Sequence, residues 1–461
     1  MEKFDLCIIG AGPSGYAAAM RAIDLGKKTI LIEKDKVGGA GLYNGELSSN
    51  TMCELAEKLR TTNAGLKSAG REVVELSWED VQKNLMESTF DRKFQYSCHL
   101  KLLQSKALNN IFKYERGLGT FINNHQVQIQ KSNSEKKTIH AENIIIATGS
   151  KPRTLPNIDV DENIIMTSDG VDHMKDFPKS MVIVGAGVIG CEYATIFSNF
   201  GKTKVYLIDR SDRILPFEDS DISDMISKNL KKKGVTIHNK AQLERLEIKN
   251  GEVEYELSYK DGSKEIIQVE KALLSVGRKL CIEGLNMENA GVTLSKRGIH
   301  IGDNNTQTNI PNIYVVGDAS GHISLVNVGE LEGRYAVERI FSKKYYPLNY
   351  SNICTIMFLQ PEVASVGINE KTCIEENIPV KVVKLDYSCI ARAIAMRKTE
   401  GFFKIIVSDD KKMKILGMRA VGEHASSAIQ GVGLLMKMDR NIHELAEMVH
   451  PHPSIIEGVQ E

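Results

Sequence analysis

Three stretches of this 461-residue chain hold residues whose types and spacing suit chemistry. The first is Gly10-Ala11-Gly12-Pro13-Ser14-Gly15, with Glu33 standing 18 residues beyond Gly15. Gly10 permits a tight turn, Gly12 lets the backbone approach a pyrophosphate, and Gly15 permits close packing of a helix on its strand. The helix N-terminus then offers unpaired N–H groups and partial positive charge to phosphates, and Glu33 can bind ribose hydroxyls. The second stretch repeats the arrangement: Gly185-Ala186-Gly187-Val188-Ile189-Gly190, with Asp209 19 residues past Gly190. A carboxylate there accepts from a free ribose 2′-OH and repels a 2′-phosphate, favouring NAD(H) over NADP(H). Arg210 and Arg213 lie close by and weaken that preference. The third stretch is Val449-His450-Pro451-His452-Pro453-Ser454-Ile455-Ile456-Glu457. A histidine oriented by a carboxylate is an acid/base pair. Equally, Ser454-x-x-Glu457 is a capping box that starts a last helix, with His450 and His452 as entry residues.

The elements needed to position the glycine turns are present around each of them. Leu6–Ile9 reads as a strand, Ala17–Met20 as helix, Gly26 as its stop, and Thr29–Ile32 as the next strand. Met181–Val184, a helical segment, Gly201 and Lys204–Ile208 repeat that order. A lone glycine motif is a weak signal, but strand, helix and terminal acid in register twice predict two dinucleotides, most simply FAD and a nicotinamide. The segment 54–118 has helix-type periodicity and no chemical motif. Cys98-His99 within it has no further ligand nearby in sequence and reads as structural.

Composition narrows the field. The length predicts two to four domains. With 59 Lys+Arg against 59 Asp+Glu, no global field favours nucleic acid or an anionic membrane. No apolar run approaches the roughly 18 residues of a spanning helix. Met1–Phe4 leads directly into a strand, which leaves no room for a signal peptide and predicts a cytoplasmic or other reducing compartment. Eight dispersed cysteines without a CxxC pair fit buried free thiols better than a disulfide framework. Cys7, in an apolar strand, is expected to act as a small hydrophobe.

Further motifs tie the chain to a family. Ile144-Ile145-Ile146-Ala147-Thr148-Gly149, Ser275-Val276-Gly277-Arg278, and Thr308 through Val316-Gly317-Asp318 succeed one another around the second glycine turn. Pro361–Gly367, Ala391-Arg392-Ala393 and Gly401–Val407 precede the histidine ending. In this order they resemble the pyridine nucleotide–disulfide oxidoreductases, which include dihydrolipoamide dehydrogenase, glutathione reductase and mercuric reductase. The C-terminal motifs are most similar to the first of these. The resemblance runs from about residue 4 to 461 and implies an α/β fold with two Rossmann-like domains and an α+β dimerisation domain. The implied division is FAD domain 1–149 and 279–348, NAD domain 150–278 and dimerisation domain 349–461. For FAD it implies Gly10, Gly12, Pro13, Ser14, Gly15, Glu33, Lys34, Gly39, Thr148, Gly149, Gly317 and Asp318. For NAD it implies Gly185, Gly187, Val188, Ile189, Gly190, Asp209 and Gly277. It further implies a homodimer in which His452, oriented by Glu457, serves the other subunit as acid/base, and a catalytic acid at Glu192.

One segment departs from the family. Its redox loop reads Gly-Gly-Thr-Cys-x-x-x-x-Cys-x-Pro-Ser-Lys, and Gly38–Asn50 resembles it with Gly41 and Glu46 at the thiol positions and Asn50 at the lysine. Glycine and glutamate cannot shuttle two electrons as a dithiol does. Cys53 lies seven residues beyond Glu46, about two helical turns, and is poorly placed to substitute. Glu192, deprived of the lysine it would pair with, is expected to raise its pKa or find another donor. The expected function is therefore an NADH-driven flavin oxidoreductase whose electrons pass to a small-molecule or protein acceptor other than a disulfide. Two alternatives stand beside it: a noncatalytic FAD-binding scaffold, and a dihydrolipoamide dehydrogenase using another thiol.

Overall fold

The computed structural model describes residues 1–42, 45–105, 110–295, 298–299, 306–342 and 346–461. The chain divides into two compact units: residues 1–51, 80–153 and 277–348 in the first, and 52–79, 154–276 and 349–461 in the second.

The first unit is built on a seven-stranded sheet. Strands β1 (Glu2–Ile9), β2 (Thr29–Glu33), β3 (Phe112–Arg116), β4 (Leu118–Asn123), β5 (Gln126–Gln130) and β6 (Lys136–Ile146) lie in the order β3-β2-β1-β6-β5-β4, and Ile313–Val315 also pairs with β6. β1 runs parallel to both β2 and β6, with Cys7 opposite Ile30 and Ile144. Parallel central strands are covered on both faces, so apolar residues occupy both sides of β1. Phe4, Cys7 and Ile9 pack on one face with Ile30, Ile32, Ile144 and Ile146. Leu6 and Ile8 pack on the other against Ala18, Ala19 and Ala22 of helix α1 (Pro13–Asp24). Cys7 is fully buried and burial pushes its thiol pKa up, as a small core hydrophobe requires. Helix α1 also packs against the helix Val326–Phe341, where a Cβ on Gly333 would lie 2.2 Å from Ser14 O. Glycine there lets the two backbones meet.

The charged stretch after the glycine-rich region folds as short α2 (Gly39–Leu42) and the long helices α3 (Glu46–Ser68) and α4 (Trp78–Leu103). His99 of α4 shares a 2.5 Å hydrogen bond with the Tyr16 hydroxyl, in keeping with the structural role expected of Cys98-His99.

The second unit carries a parallel five-stranded sheet in the order Thr236–His238, Lys204–Ile208, Ser180–Val184, Lys271–Leu274, Ile165–Met166. An antiparallel sheet of five strands follows from Cys354 to Val421, with the helix Ala425–Lys437 packed on it. Lys404 of this sheet is only 2% exposed, yet its Nζ lies 2.7, 2.9 and 2.7 Å from carboxylates of Asp219, Asp221 and Glu370. A buried ammonium needs such partners, since desolvation otherwise strips its charge. No helix among the described residues is long and apolar enough to cross a membrane.

Candidate functional site

The first glycine turn is fixed by contact. Gly10 has φ +109°, and a Cβ there would sit 2.3 Å from Ala147 O. A Cβ on Gly15 would sit 1.9 Å from Gly10 O, so α1 can begin against its strand only with glycine there. Pro13 occupies the first turn of α1, Gly12 caps it without a side-chain bond, and no acid stands in that turn. Its N–H groups are therefore left for an anion. Glu33 accepts from Ala11 N–H at 2.7 Å and Asp35 N–H at 2.8 Å, which holds its carboxylate against the turn. Lys34 beside it is exposed.

The rest of the expected FAD set converges in the same unit. Among the described residues, nothing beyond the adjoining backbone comes within 4 Å of where a Cβ on Gly12 or Gly149 would sit, and Gly39 approaches Gly12, where its Cβ would lie 3.2 Å from Gly12 Cα. Thr148 Oγ1 is buried without a hydrogen-bond partner among the described residues. Gly317 N–H donates to the buried Glu332 at 2.7 Å. Asp318 accepts from Ser150 Oγ at 2.5 Å and lies 3.5 Å from Arg278 Nε, while Arg278 donates to Ser150 Oγ at 2.7 Å. An open cradle, an orphaned hydroxyl and uncapped helix N–H groups together fit the pyrophosphate and sugar of a dinucleotide. Ser150, Arg278 and Glu332 were absent from the expected set. Ser150 follows Gly149 directly, and Arg278 closes the Ser275–Arg278 motif.

The second turn repeats the device within the second unit. A Cβ on Gly185 would lie 2.6 Å from Ser275 O, and one on Gly190 would lie 1.9 Å from Gly185 O. Ser275 Oγ donates to Gly185 O at 2.8 Å, an anchor that sequence reading missed. Asp209 accepts from Ala186 N–H at 2.7 Å and Ser211 N–H at 2.8 Å, just as Glu33 does in its own unit. Gly187 is open, and the helix Val188–Phe200, which begins with Val188 and Ile189, has neither a side-chain cap nor an acid in its first turn. A second dinucleotide fits these residues. Gly277, expected near NAD, falls in the first unit, where its carbonyl accepts from Arg153 N–H at 3.0 Å.

Where the family's dithiol would stand, a cavity of about 220 Å³ opens among Pro13, Gly41, Glu46, Asn50, Val326 and Glu330. Partial desolvation, reinforced by the charge of Glu330, raises the Glu46 carboxyl above its usual range and favours the protonated form, although the residue remains exposed. A larger cavity of about 710 Å³ shares Pro13, Arg92, Tyr96 and Glu330 with it and reaches Tyr16 and His99. All eight cysteines are free. Cys53 donates to Phe358 O at 3.5 Å, and burial together with Glu192 raises its pKa to about 12. Glu192 accepts from Phe358 N–H at 3.0 Å, so the carboxylate has found another donor.

At the C-terminus, His452 Nδ1 lies 2.7 Å from Glu457 Oε2, with the imidazole 74% exposed and the carboxylate 17%. Ser454 Oγ accepts from Glu457 N–H at 3.3 Å. The capping half of the box thus forms, but over a 3₁₀ turn, Ile456–Val459, rather than an α-helix. The Glu457 side chain turns to the histidine, so the two readings of this ending coexist.

Two crowded glycine turns, each with a carboxylate bound to it, together with a separate antiparallel domain, define a two-dinucleotide oxidoreductase. The chain belongs to the pyridine nucleotide-disulphide oxidoreductase family, which matches residues 4–333, while that family's dimerisation domain matches 353–461. It is thus an enzyme of the FAD- and NAD-dependent oxidoreductases. It is 33% identical over 469 residues to a dihydrolipoyl dehydrogenase of Bacillus subtilis, covering 100% of this chain and 97% of the relative. With a dihydrolipoyl dehydrogenase of Corynebacterium glutamicum it shares 33% over 465 residues, again 100% and 97%. Among solved structures, the Cu(II) complex of the HOCl-induced flavoprotein disulfide reductase RclA from Escherichia coli matches with TM-score 0.86 at 25% identity, covering 100% and 98%. LpdA from Mycobacterium tuberculosis shares the fold with TM-score 0.89 at 22% identity, again covering 100% and 98%.

Proposed function

We propose that this chain is an NADH-dependent flavin oxidoreductase that delivers electrons to an acceptor other than a disulfide. The observation that supports this is the cavity at Gly41, Glu46 and Asn50, whose polar lining among the described residues is Glu46, Glu330, Asn50, Arg92 and Tyr96, with no thiol. FAD, when bound, supplies a two-electron relay between nicotinamide and acceptor. Gly10 to Gly15 and the N-terminus of α1 hold its pyrophosphate, Glu33 its ribose and Asp318 its ribityl chain. Gly185 to Gly190 and Asp209 hold NADH in the same manner. Glu46, whose carboxyl is biased toward the protonated form, stands where the family holds sulfur, so it can offer a proton to a reduced acceptor but cannot exchange with a disulfide. In a homodimer, His452 oriented by Glu457 serves the acceptor side of the other subunit. The division 1–149 with 279–348, 150–278 and 349–461 then separates FAD binding, NADH binding and dimer contact. Eight free thiols favour a reducing compartment such as the cytoplasm.

Anaerobic mixing of the purified flavoprotein with NADH, followed by flavin absorbance, tests the reading. Bleaching is expected, then reoxidation on adding a quinone and none on adding lipoamide. Absence of bleaching would favour a noncatalytic scaffold, and reoxidation by lipoamide would show another thiol at work. The quinone arm extends to dyes, oxygen and Cu(II), since the Escherichia coli neighbour was solved as a Cu(II) complex.

A further inference from the structure

We propose that His125, His140 and Glu142 form a site for a borderline divalent cation, with Zn²⁺ as the test ion. Among the described residues these side chains bring one ligand atom each within 4.8 Å of the others. The fold explains why. His140 and Glu142 stand two apart on β6, and alternation in a strand puts both on one face. His125 sits in the turn between β4 and β5, and its carbonyl accepts from Ala141 N–H at 2.9 Å, which levels it with the other two.

The hydrogen bonds settle which nitrogens are left for an ion. His125 Nδ1 lies 3.1 Å from Ala141 O, so its proton belongs there and Nε2 keeps a lone pair. That is the outer bond by which proteins orient metal-binding imidazoles. His140 Nε2 lies 3.1 Å from Glu142 Oε1, a contact in which a cation can take the proton's place. The two rings are nearly parallel, 15° apart with centroids at 5.5 Å. Asn312 fastens the surroundings: its Nδ2 donates to Asn124 O at 2.7 Å and Glu142 O at 3.2 Å, and lies 3.4 Å from His125 Nδ1. Both backbone segments are therefore held before any ion arrives, and only side chains need to close in.

The donor set selects the ion. Two imidazole nitrogens and one carboxylate oxygen suit Zn²⁺, Cu²⁺ or Ni²⁺, whereas Mg²⁺ and Ca²⁺ prefer all-oxygen shells. Tetrahedral ligand bonds of about 2.0–2.1 Å put donor atoms about 3.3 Å apart, close to the 3.1 Å between His140 Nε2 and Glu142 Oε1, so the His125 imidazole has to close in by about 1.5 Å at most, within the reach of a χ rotation. Glu142 is exposed and both histidines are half-exposed, so an ion can enter from solvent, with water as a fourth ligand. A bound ion would fasten the 124–125 turn to β6.

Titrating the full-length FAD-loaded protein with Zn²⁺ alone, by calorimetry and by melting temperature, tests the assignment. The parent is expected to bind one ion per chain at this site and to melt higher with Zn²⁺ but not with Mg²⁺. His140→Gln and Glu142→Gln, both surface changes, are each expected to weaken that binding at least tenfold and to remove the melting shift. Loading with Cu²⁺ should show nitrogen couplings in electron paramagnetic resonance that weaken in His125→Ala. Equal Zn²⁺ affinity in the parent and both variants would assign the ion to the thiols and overturn the proposal. Failure of the parent to bind Zn²⁺ at all would overturn it as well.

Discussion

The turn Gly10–Gly15 and the segment Gly38–Asn50 border one cavity in the first unit, yet they hold their chemistry in different ways. In the turn, backbone meets backbone: Gly15 has no room for even one added carbon beside Gly10 O. In the segment, Glu46 and Asn50 line the cavity, and a Cβ on Gly41 would meet side chains rather than backbone, Pro13 Cγ at 3.0 Å and Val326 Cγ2 at 3.6 Å. A change in the turn therefore acts on the fold and the cofactor together. A change at Glu46 or Asn50 leaves the scaffold in place and alters what the cavity can do. The turns accordingly bear on which cofactors are held, and the segment bears on the proposed acceptor site.

The largest effect should come from adding a methyl group to either turn. Gly15→Ala places a carbon 1.9 Å from Gly10 O and should cost at least tenfold in FAD retention, read from flavin absorbance of the purified protein. Gly190→Ala makes the same clash with Gly185 O in the second unit. It should keep FAD but slow anaerobic bleaching by NADH at least tenfold. If Gly15→Ala retains full flavin, or Gly190→Ala bleaches at the parent rate, the steric half of the comparison fails.

These glycines were legible because the constraint is local: a positive φ and a close approach leave glycine as the residue that fits. The carboxylates at the strand ends were legible too, since spacing alone carries Glu33 and Asp209 back to their turns. The Ser150–Asp318–Arg278 group was not, because residues far apart in sequence meet only once strands pair. His125, His140 and Glu142 escaped for the same reason, a hairpin register that no short motif encodes. The absence of thiols at Gly41 and Glu46 could be read directly, but the state of the acid that replaced one of them could not. Its partial desolvation and its nearness to Glu330 are products of tertiary packing.

A smaller effect tests that acid. The Glu46 carboxyl is raised in the folded chain above its unfolded value of about 4.3, so the native state binds more protons than the unfolded state between the two. Its contribution to stability is full below the unfolded value and is lost as pH rises through the folded one. Glu46→Gln, which keeps the shape without the charge, should escape that loss. The variant should melt slightly above the parent at pH 8, by about a degree at most because solvent screens an exposed carboxyl, and level with it near pH 4. Parallel melting curves across this range would mean that the cavity leaves the carboxyl an ordinary acid, and Glu46 would lose its role as proton holder.

The smallest effect belongs to Cys53, on the same helix as Glu46 and seven residues further along. A redox thiol acts as its thiolate, and here burial, with Glu192 and Glu54 nearby, raises the pKa to about 12. Its hydrogen bond to Phe358 O ties the proton to the sulfur further. At pH 8 about one molecule in ten thousand would carry the anion, too few to replace a dithiol. Cys53→Ser retains a donor to Phe358 O and should change NADH oxidation with a quinone by less than twofold, with no change in its pH profile between 6 and 9. A tenfold loss, or a new dependence on pH near 8, would place sulfur back in the electron path. The difference between the turn and the segment would then be one of location, a thiol moved along the helix, rather than of chemistry.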